Sequence, residues 1–179
     1  MGLNKTVTLK YEIKFLDYWH LSSGLSAGAK LDSSVVKDDS GIAFVPGKTL
    51  KGMAREMAEY FEDEAFVKSC FGIEGQDMGL CYFTNGTISS QAHKQIVSNK
   101  LQENLYDELA STKIDENGMA VDNSLREIEV VVPLTLYGEV RDVSDRDKNL
   151  MKQSLEMIKR MGLNRNRGLG RCTITVEEV

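Results

Sequence analysis

In TVTLKYEIKF, residues 6–15, the apolar side chains Val7, Leu9, Tyr11, Ile13 and Phe15 occupy every second position, the pattern of a strand with one buried face. From residue 50 the period changes. Leu50, Met53, Ala54, Met57, Ala58 and Phe61 recur three and four apart, which predicts an amphipathic helix, with Pro46 and Gly47 as the turn before it and Thr49 as its N-cap. The second half repeats both periods. LCYFTNGTI, residues 80–88, reads as a short strand, and residues 124–140 form a long β-rich run in which Ile128, Val130, Val132, Leu134 and Leu136 alternate. Pro133 marks an edge or a bulge in that run. Residues 144–161 read as a second helix with Leu150, Met151, Leu155, Ile158 and Met161 on its apolar face, and CTITVEEV reads as a closing strand. The order strand, helix, strand, strand, helix, strand predicts an α+β, ferredoxin-like domain: an antiparallel sheet with two helices on one face. Such a fold defines no function by itself.

The segments between these elements are long and polar. Residues 18–41, YWHLSSGLSAGAKLDSSVVKDDSG, are too polar for core and too long for a simple connection, so a functional loop is expected over about 18–45. Residues 91–110 read as a polar helical or mobile segment, and KIDENGMAVDNS as a polar loop or hairpin turning at Glu116-Asn117-Gly118. With 179 residues, one domain is expected, spanning 1–179.

Composition excludes several classes. No apolar run approaches the length that crosses a bilayer, and the N-terminal residues alternate without the apolar stretch of a secretory signal, so no membrane partner is expected. The Met-Gly start with Thr6 is a weak myristoylation match, better read as the start of a strand. Cys70, Cys81 and Cys172 are odd in number and widely spaced, which fits neither a disulfide framework nor a four-ligand zinc site and points to a reducing cytoplasm. The net charge of −5 argues against nucleic acid, but its distribution is uneven. Lys159, Arg160, Arg165, Arg167 and Arg171 occur with no acid among them.

Gly47-Lys48-Thr49 ends like a nucleotide-binding P-loop. The pattern requires four residues after its first glycine; here IAFVP between Gly41 and Gly47 is five, and Pro46 has no N–H to donate. A turn into a helix is the better reading. Lys48, Lys51 and Arg55 share one helical stripe, close enough to the helix start to meet a phosphate. The loop GLNRNRGLGR, residues 162–171, combines glycine freedom with guanidinium groups suited to phosphate; the alternative is a solvated turn. His20 is either a structural histidine among aromatics or a functional one. Asp32 is either an Asx turn or cap, or a carboxylate that holds a divalent metal or acts as a base.

Several segments, in this order, resemble the RAMP superfamily, in particular the RNA-backbone subunits of type III CRISPR effector complexes. They are YWHLSSG after the first strand, LDSSVVKDDSG, VPGKTLKGMARE, CFG followed by LCYFTNGTI, STKIDENGMAVDNSLREIEVVVPL, and GLNRNRGLGRC. YWH and SLREIEVVVPL are most similar to subtype III-D members. The resemblance implies a ferredoxin-like (RRM-type) domain with a thumb-like β-hairpin insertion, over about 91–126, and a diagnostic glycine-rich loop at 162–171. It implies a subunit packed beside other RAMP subunits along a guide RNA, with the thumb displacing a base pair between guide and target RNA. Carried over by motif, Asp32 is the catalytic residue and metal ligand for cleavage of the target, with Mg2+ as the divalent cofactor. His20, Lys48, Lys51, Arg55, Lys113, Arg165, Arg167 and Arg171 are the implied RNA-binding residues, and Asp38 the family's structural Asp. The alternatives are a RAMP subunit that binds and spaces RNA without cutting it and, more remotely, a nucleotide-binding protein.

Overall fold

Strand β1 (Thr6–Phe15) is the middle of the domain because both its edges are paired. In the computed structural model, which describes residues 5–24, 33–73, 75–122 and 124–179, helix α1 (Gly47–Glu59) follows. Next come α2 (Glu64–Phe71), the two-residue strands β2 (Gly72–Ile73), β3 (Asp77–Met78) and β4 (Tyr82–Phe83), and α3 (Ser90–Ser98). A 3-10 turn at Gln102–Leu105 leads into β5 (Tyr106–Ser111), β6 (Arg126–Val131), β7 (Thr135–Ser144), α4 (Lys148–Glu156) and β8 (Cys172–Glu178).

The main sheet has the order β4-β7-β1-β8, antiparallel at every pairing, which is the ferredoxin-like arrangement expected from the sequence. Leu9, Tyr11, Ile13 and Phe15 of β1 are buried, as are Ile174 and Val176 of β8 and Leu136, Val140 and Val143 of β7. They pack against Leu50, Ala54 and Ala58 of α1 and Met151 and Leu155 of α4 in one core. Within it Tyr11 pairs across the strands with Gly138, where a Cβ would strike the phenol ring, and its hydroxyl donates to the Thr84 carbonyl at 2.8 Å.

Four sequence expectations shift. The run through 124–140 is not one strand: Pro133, with no N–H for a ladder, separates β6 from β7, and the two lie in different sheets. Residues 91–110 are not helical throughout, because α3 stops at Ser98 and the chain turns into β5, which pairs antiparallel with β6. The second helix covers only 148–156; Ser144 still belongs to β7, and Ile158 and Met161 are buried beyond the helix end. The N-cap of α1 is Pro46 rather than Thr49. A side chain from elsewhere does the capping, since the Gly47 amide donates to Asn85 Oδ1 at 2.9 Å.

Candidate nucleic-acid interface

Two segments singled out in the sequence are stitched together. The chain after β1 and the glycine-rich loop meet main chain to main chain: Leu16 N donates to the Arg171 carbonyl at 2.8 Å, Gly170 N to Tyr18 O at 2.8 Å, and Leu163 N to His20 O at 2.9 Å. Two glycines make this possible. Gly162 and Gly170 have φ of 88° and 69°, and a Cβ on either would strike a carbonyl oxygen, that of His20 and that of Met161 respectively. Asp17 adds a side-chain tie, accepting from Arg171 N at 2.8 Å and pairing with Arg171 Nε at 3.2 Å.

The docked loop carries a basic surface. Arg165, Arg167 and Arg171 are exposed. Arg160 joins them, its Nη1 donating to the Arg165 carbonyl at 3.1 Å. Arg160 and Arg165 line one hollow with Asp17 and Arg171, and a second against Met53, Glu56 and Met57 of α1.

His20 sits beneath this surface, with no exposure at all. Its Nδ1 lies 2.6 Å from the Glu129 carbonyl oxygen, which only accepts, so Nδ1 carries the proton; Nε2 lies 3.0 Å from Ser33 Oγ. The buried imidazole therefore offers no surface for direct contact with RNA in this conformation. Trp19 beside it is stacked on Phe15 at 4.4 Å and donates from Nε1 to Val132 O at 3.2 Å. Glu129 is a hub that sequence reading missed. Its carboxylate accepts from Val35 N at 3.0 Å and from Lys37 Nζ at 2.6 Å, and its amide donates to Ser33 O at 3.2 Å. Alternation with Ile128 and Val130 had placed Glu129 on an unremarkable polar face, so no local signal marked it. Lys37 lies 3.8 Å over the Tyr106 ring, whose hydroxyl donates to Gly41 O and whose pKa burial pushes up.

Asp32 lies outside the described residues; its chain neighbour Ser33 is the residue held by His20 and β6. Asp38 accepts at Oδ1 from Ser40 N and Ile42 N, both at 2.9 Å, and its Oδ2 is 3.1 Å from His93 Nε2. That carboxylate is committed to holding a turn. Among the described residues no three His, Cys, Asp or Glu side chains are grouped to hold a metal ion, so they do not by themselves supply a ligand set.

The other expected cations stand apart from the glycine-rich loop. Lys51 Nζ donates to Cys81 O at 3.3 Å, and Arg55 Nε pairs with Glu59 at 3.1 Å; both line a groove with residues 77–82. Lys48 is exposed at the start of α1. The amides beside it are engaged, Gly47 with Asn85 and Thr49 and Leu50 with Pro46 O, so they form no phosphate cradle. Gly47 itself is there for contact, because a Cβ would collide with the Phe83 carbonyl. Lys113 is on the exposed extension of the β5–β6 hairpin, closed by Val121 N donating to Lys113 O at 2.9 Å. At its tip Asp115 accepts from Met119 N at 2.8 Å and Asn117 N at 2.9 Å, bonds that lower its pKa.

The described features define a ferredoxin-like domain with a hairpin insertion and a basic glycine-rich loop docked behind the first strand. The model of the RAMP superfamily matches residues 12–173, and the chain belongs to that family. No curated protein matches it in sequence. Among solved structures it is similar to a chain of the type III-B Cmr-beta complex bound to cognate target RNA, with a TM-score of 0.77, 9% identity, and coverage of 97% of this chain and 98% of that one. The apo state of Cmr-beta matches with a TM-score of 0.73, 9% identity, and coverage of 95% and 97%. Identity this low carries the fold and not the subtype. No described helix is long and apolar enough to cross a membrane.

Proposed function

We propose that this chain is a backbone subunit of a type III CRISPR effector complex, holding guide RNA beside other RAMP subunits and cleaving the complementary target. The observation that supports it best is the docking of the arginine-bearing loop onto the segment after β1, through the carbonyls of Tyr18 and His20. The loop that carries the arginines thus meets the segment whose His20 bonds Ser33, the residue next to Asp32 in sequence. Arg165, Arg167 and Arg171, with Arg160, hold backbone phosphates there. Lys48, Lys51 and Arg55 do so along α1, and Lys113 on the hairpin. His20 acts from below by position. The similarity to a subunit of a complex bound to target RNA supports the same reading.

In this reading Asp32 orients the 2′-hydroxyl of the target for in-line attack on the adjacent phosphate, breaking the bond to the next 5′-oxygen. The products are a 2′,3′-cyclic phosphate and a 5′-hydroxyl. An A-form helix forbids that line of attack, so the nucleotide must first be displaced, the role assigned to the hairpin. A divalent ion, Mg2+ by its chemistry, bound at Asp32 would take its other ligands from RNA phosphates and water, and would neutralise charge at the phosphate. The second reading, a subunit that binds and spaces RNA without cutting, is favoured by the commitment of Asp38 and Glu129 to structural bonds.

Purification from the native host followed by sequencing of bound small RNA tests the class: a uniform RNA with a repeat-derived end is expected, and RNA-free protein overturns it. Asp32→Ala in the assembled complex separates the two readings. Loss of metal-dependent cleavage with guide RNA retained supports the nuclease; cleavage that persists, or none in the parent, leaves Asp32 without that role.

A further inference from the structure

Glu129 spends every polar atom it has on the chain after β1. Its amide donates to Ser33 O at 3.2 Å, its carbonyl accepts from His20 Nδ1 at 2.6 Å, and its carboxylate accepts from Val35 N at 3.0 Å and Lys37 Nζ at 2.6 Å. Along residues 33–36 the backbone bonds alternate between two partners. Ser34 O and Val36 N pair with Ser23 N and Leu21 O, whereas Ser33 O and Val35 N turn to Glu129. Backbone pairing with β6 lasts for one bridge, Ser33 to Ile128, and the Glu129 side chain carries it on. That side chain is 12% exposed, so its charge needs the Lys37 ammonium against it.

Lys37 also lies 3.8 Å over the Tyr106 ring, so one cation touches both strands of the hairpin, β5 through Tyr106 and β6 through Glu129. The turn that follows is held by the same insertion: Tyr106 donates its hydroxyl to Gly41 O at 2.7 Å, and Asp38 Oδ2 lies 3.1 Å from His93 Nε2 of α3. β5 and β6 form a sheet of their own, apart from the main one, and the described residues from 110 to 122 at its far end are exposed. The placement of the hairpin relative to the chain that follows Asp32 is therefore set at the hairpin's base. There Glu129 and Lys37 are the charged pair that joins the two.

We infer that Glu129 and Lys37 are positioning residues for the proposed cleavage: as a pair they lock residues 33–37 to the base of the hairpin, so that the element assigned to displace a nucleotide and the chain next to Asp32 keep one relative placement. The inference rests on the reading of the chain as a nuclease, and in it neither side chain touches the reacting atoms. In-line attack tolerates little misplacement of the attacking group. Breaking the pair therefore costs rate at bound target rather than binding.

Single-turnover cleavage of saturating target RNA by the assembled complex is measured for the parent, Glu129→Gln, Lys37→Met and the double variant. Glu129→Gln keeps an oxygen for Val35 N and loses the charge; Lys37→Met keeps most of the length and loses the ammonium. Each single variant lowers the cleavage rate by about ten- to a hundredfold, with target affinity within about twofold of the parent. The double variant loses no more than the worse single one, because the two residues act together. Cleavage at the parent's rate in both single variants overturns the positioning role and leaves the nuclease reading in place. So does a fall in rate matched by an equal fall in target affinity, the mark of a part that only holds the fold together. Losses that add in the double variant show two separate roles and overturn the pair. A parent complex that does not cut overturns both the pair and the nuclease reading.

Discussion

His20 Nδ1–H donates to the backbone carbonyl of Glu129 across 2.6 Å, joining the loop after β1 to a strand more than a hundred residues away in sequence. On the other side of the ring the Ser33 hydroxyl bonds Nε2 at 3.0 Å, so one buried imidazole fixes both β6 and the chain next to Asp32. Removal of the ring takes a buried side chain out of the core and the donor from the Glu129 carbonyl, while the half-buried Ser33 hydroxyl keeps Ser22 Oγ at 3.3 Å. His20→Ala is therefore expected to lower stability by about 2–4 kcal/mol in urea titration. Amide exchange at residues 33–37 should speed up as well. A variant as stable as the parent would show that the bridge contributes nothing.

Arg167 and Arg171 are expected to differ in their response to salt. Arg171 is already paired with Asp17 at 3.2 Å and helps dock its loop, whereas no protein partner sets the side chain of Arg167 in place among the described contacts. In fluorescence anisotropy with single-stranded RNA, Arg167→Ala reduces the slope of log K against log salt by about 1. Arg171→Ala changes the slope less and lowers the melting temperature. An unchanged slope in Arg167→Ala removes that side chain from the RNA.

Shortening the hairpin between residues 115 and 123 should leave folding unaltered. Every described residue from 110 to 122 is exposed, and the core holds none of them. A thermal melt within a degree or two of the parent is expected, together with altered spacing of the cuts in the assembled complex. A collapse of the melt would place the hairpin in the core.

Alkaline pH should unfold the protein earlier than composition implies. Burial raises Tyr11 from 10.0 to about 12, against a smaller opposite effect of its bond to Thr84, and burial raises Cys172 from 9.0 to about 12. The folded chain thus keeps protons that the unfolded chain releases. Their stabilisation is complete below pH 9 and is lost as pH climbs toward 12, on the order of 3 kcal/mol for Tyr11. Cys70 is held up too, first by its bond with the Cys81 thiol and then by burial. All three thiols are buried, so a disulfide-exchange reagent at pH 8 should react only after denaturation. Rapid reaction of the native protein, or a flat stability curve to pH 11, would contradict these assignments.

What the sequence revealed and what it hid follow from the range of the forces involved. β1 and β8 were legible because their side chains alternate between a core and an open face, and α1 because its buried stripe has helical spacing. Pro133 was legible as an interruption, but not as a change of sheet, since the partner β5 carries too few apolar residues to advertise a strand. α4 looked longer than it is because Ile158 and Met161 are buried for reasons of tertiary packing. In the candidate site the glycine-rich loop and its arginines were readable from composition. Glu129, Asp17 and the Asn85 cap of α1 were not, because each acts on a backbone group far along the chain. His20 drew notice as a histidine in a polar loop, although its surroundings are interior. The basic stripe of α1 gave no hint that Lys51 and Arg55 line a groove with the exposed Met78, Leu80 and Tyr82.

The seam between the glycine-rich loop and the chain after β1 is made mostly of amides and carbonyls, with glycine required only where a Cβ would strike an oxygen. A joint of that kind is indifferent to the identity of nearly every side chain around it. It tolerates drift that would destroy a joint of interlocked side chains, so evolution can rewrite the surface on either side for new neighbours without moving the seam. A fold that keeps its shape at 9% identity has need of such parts.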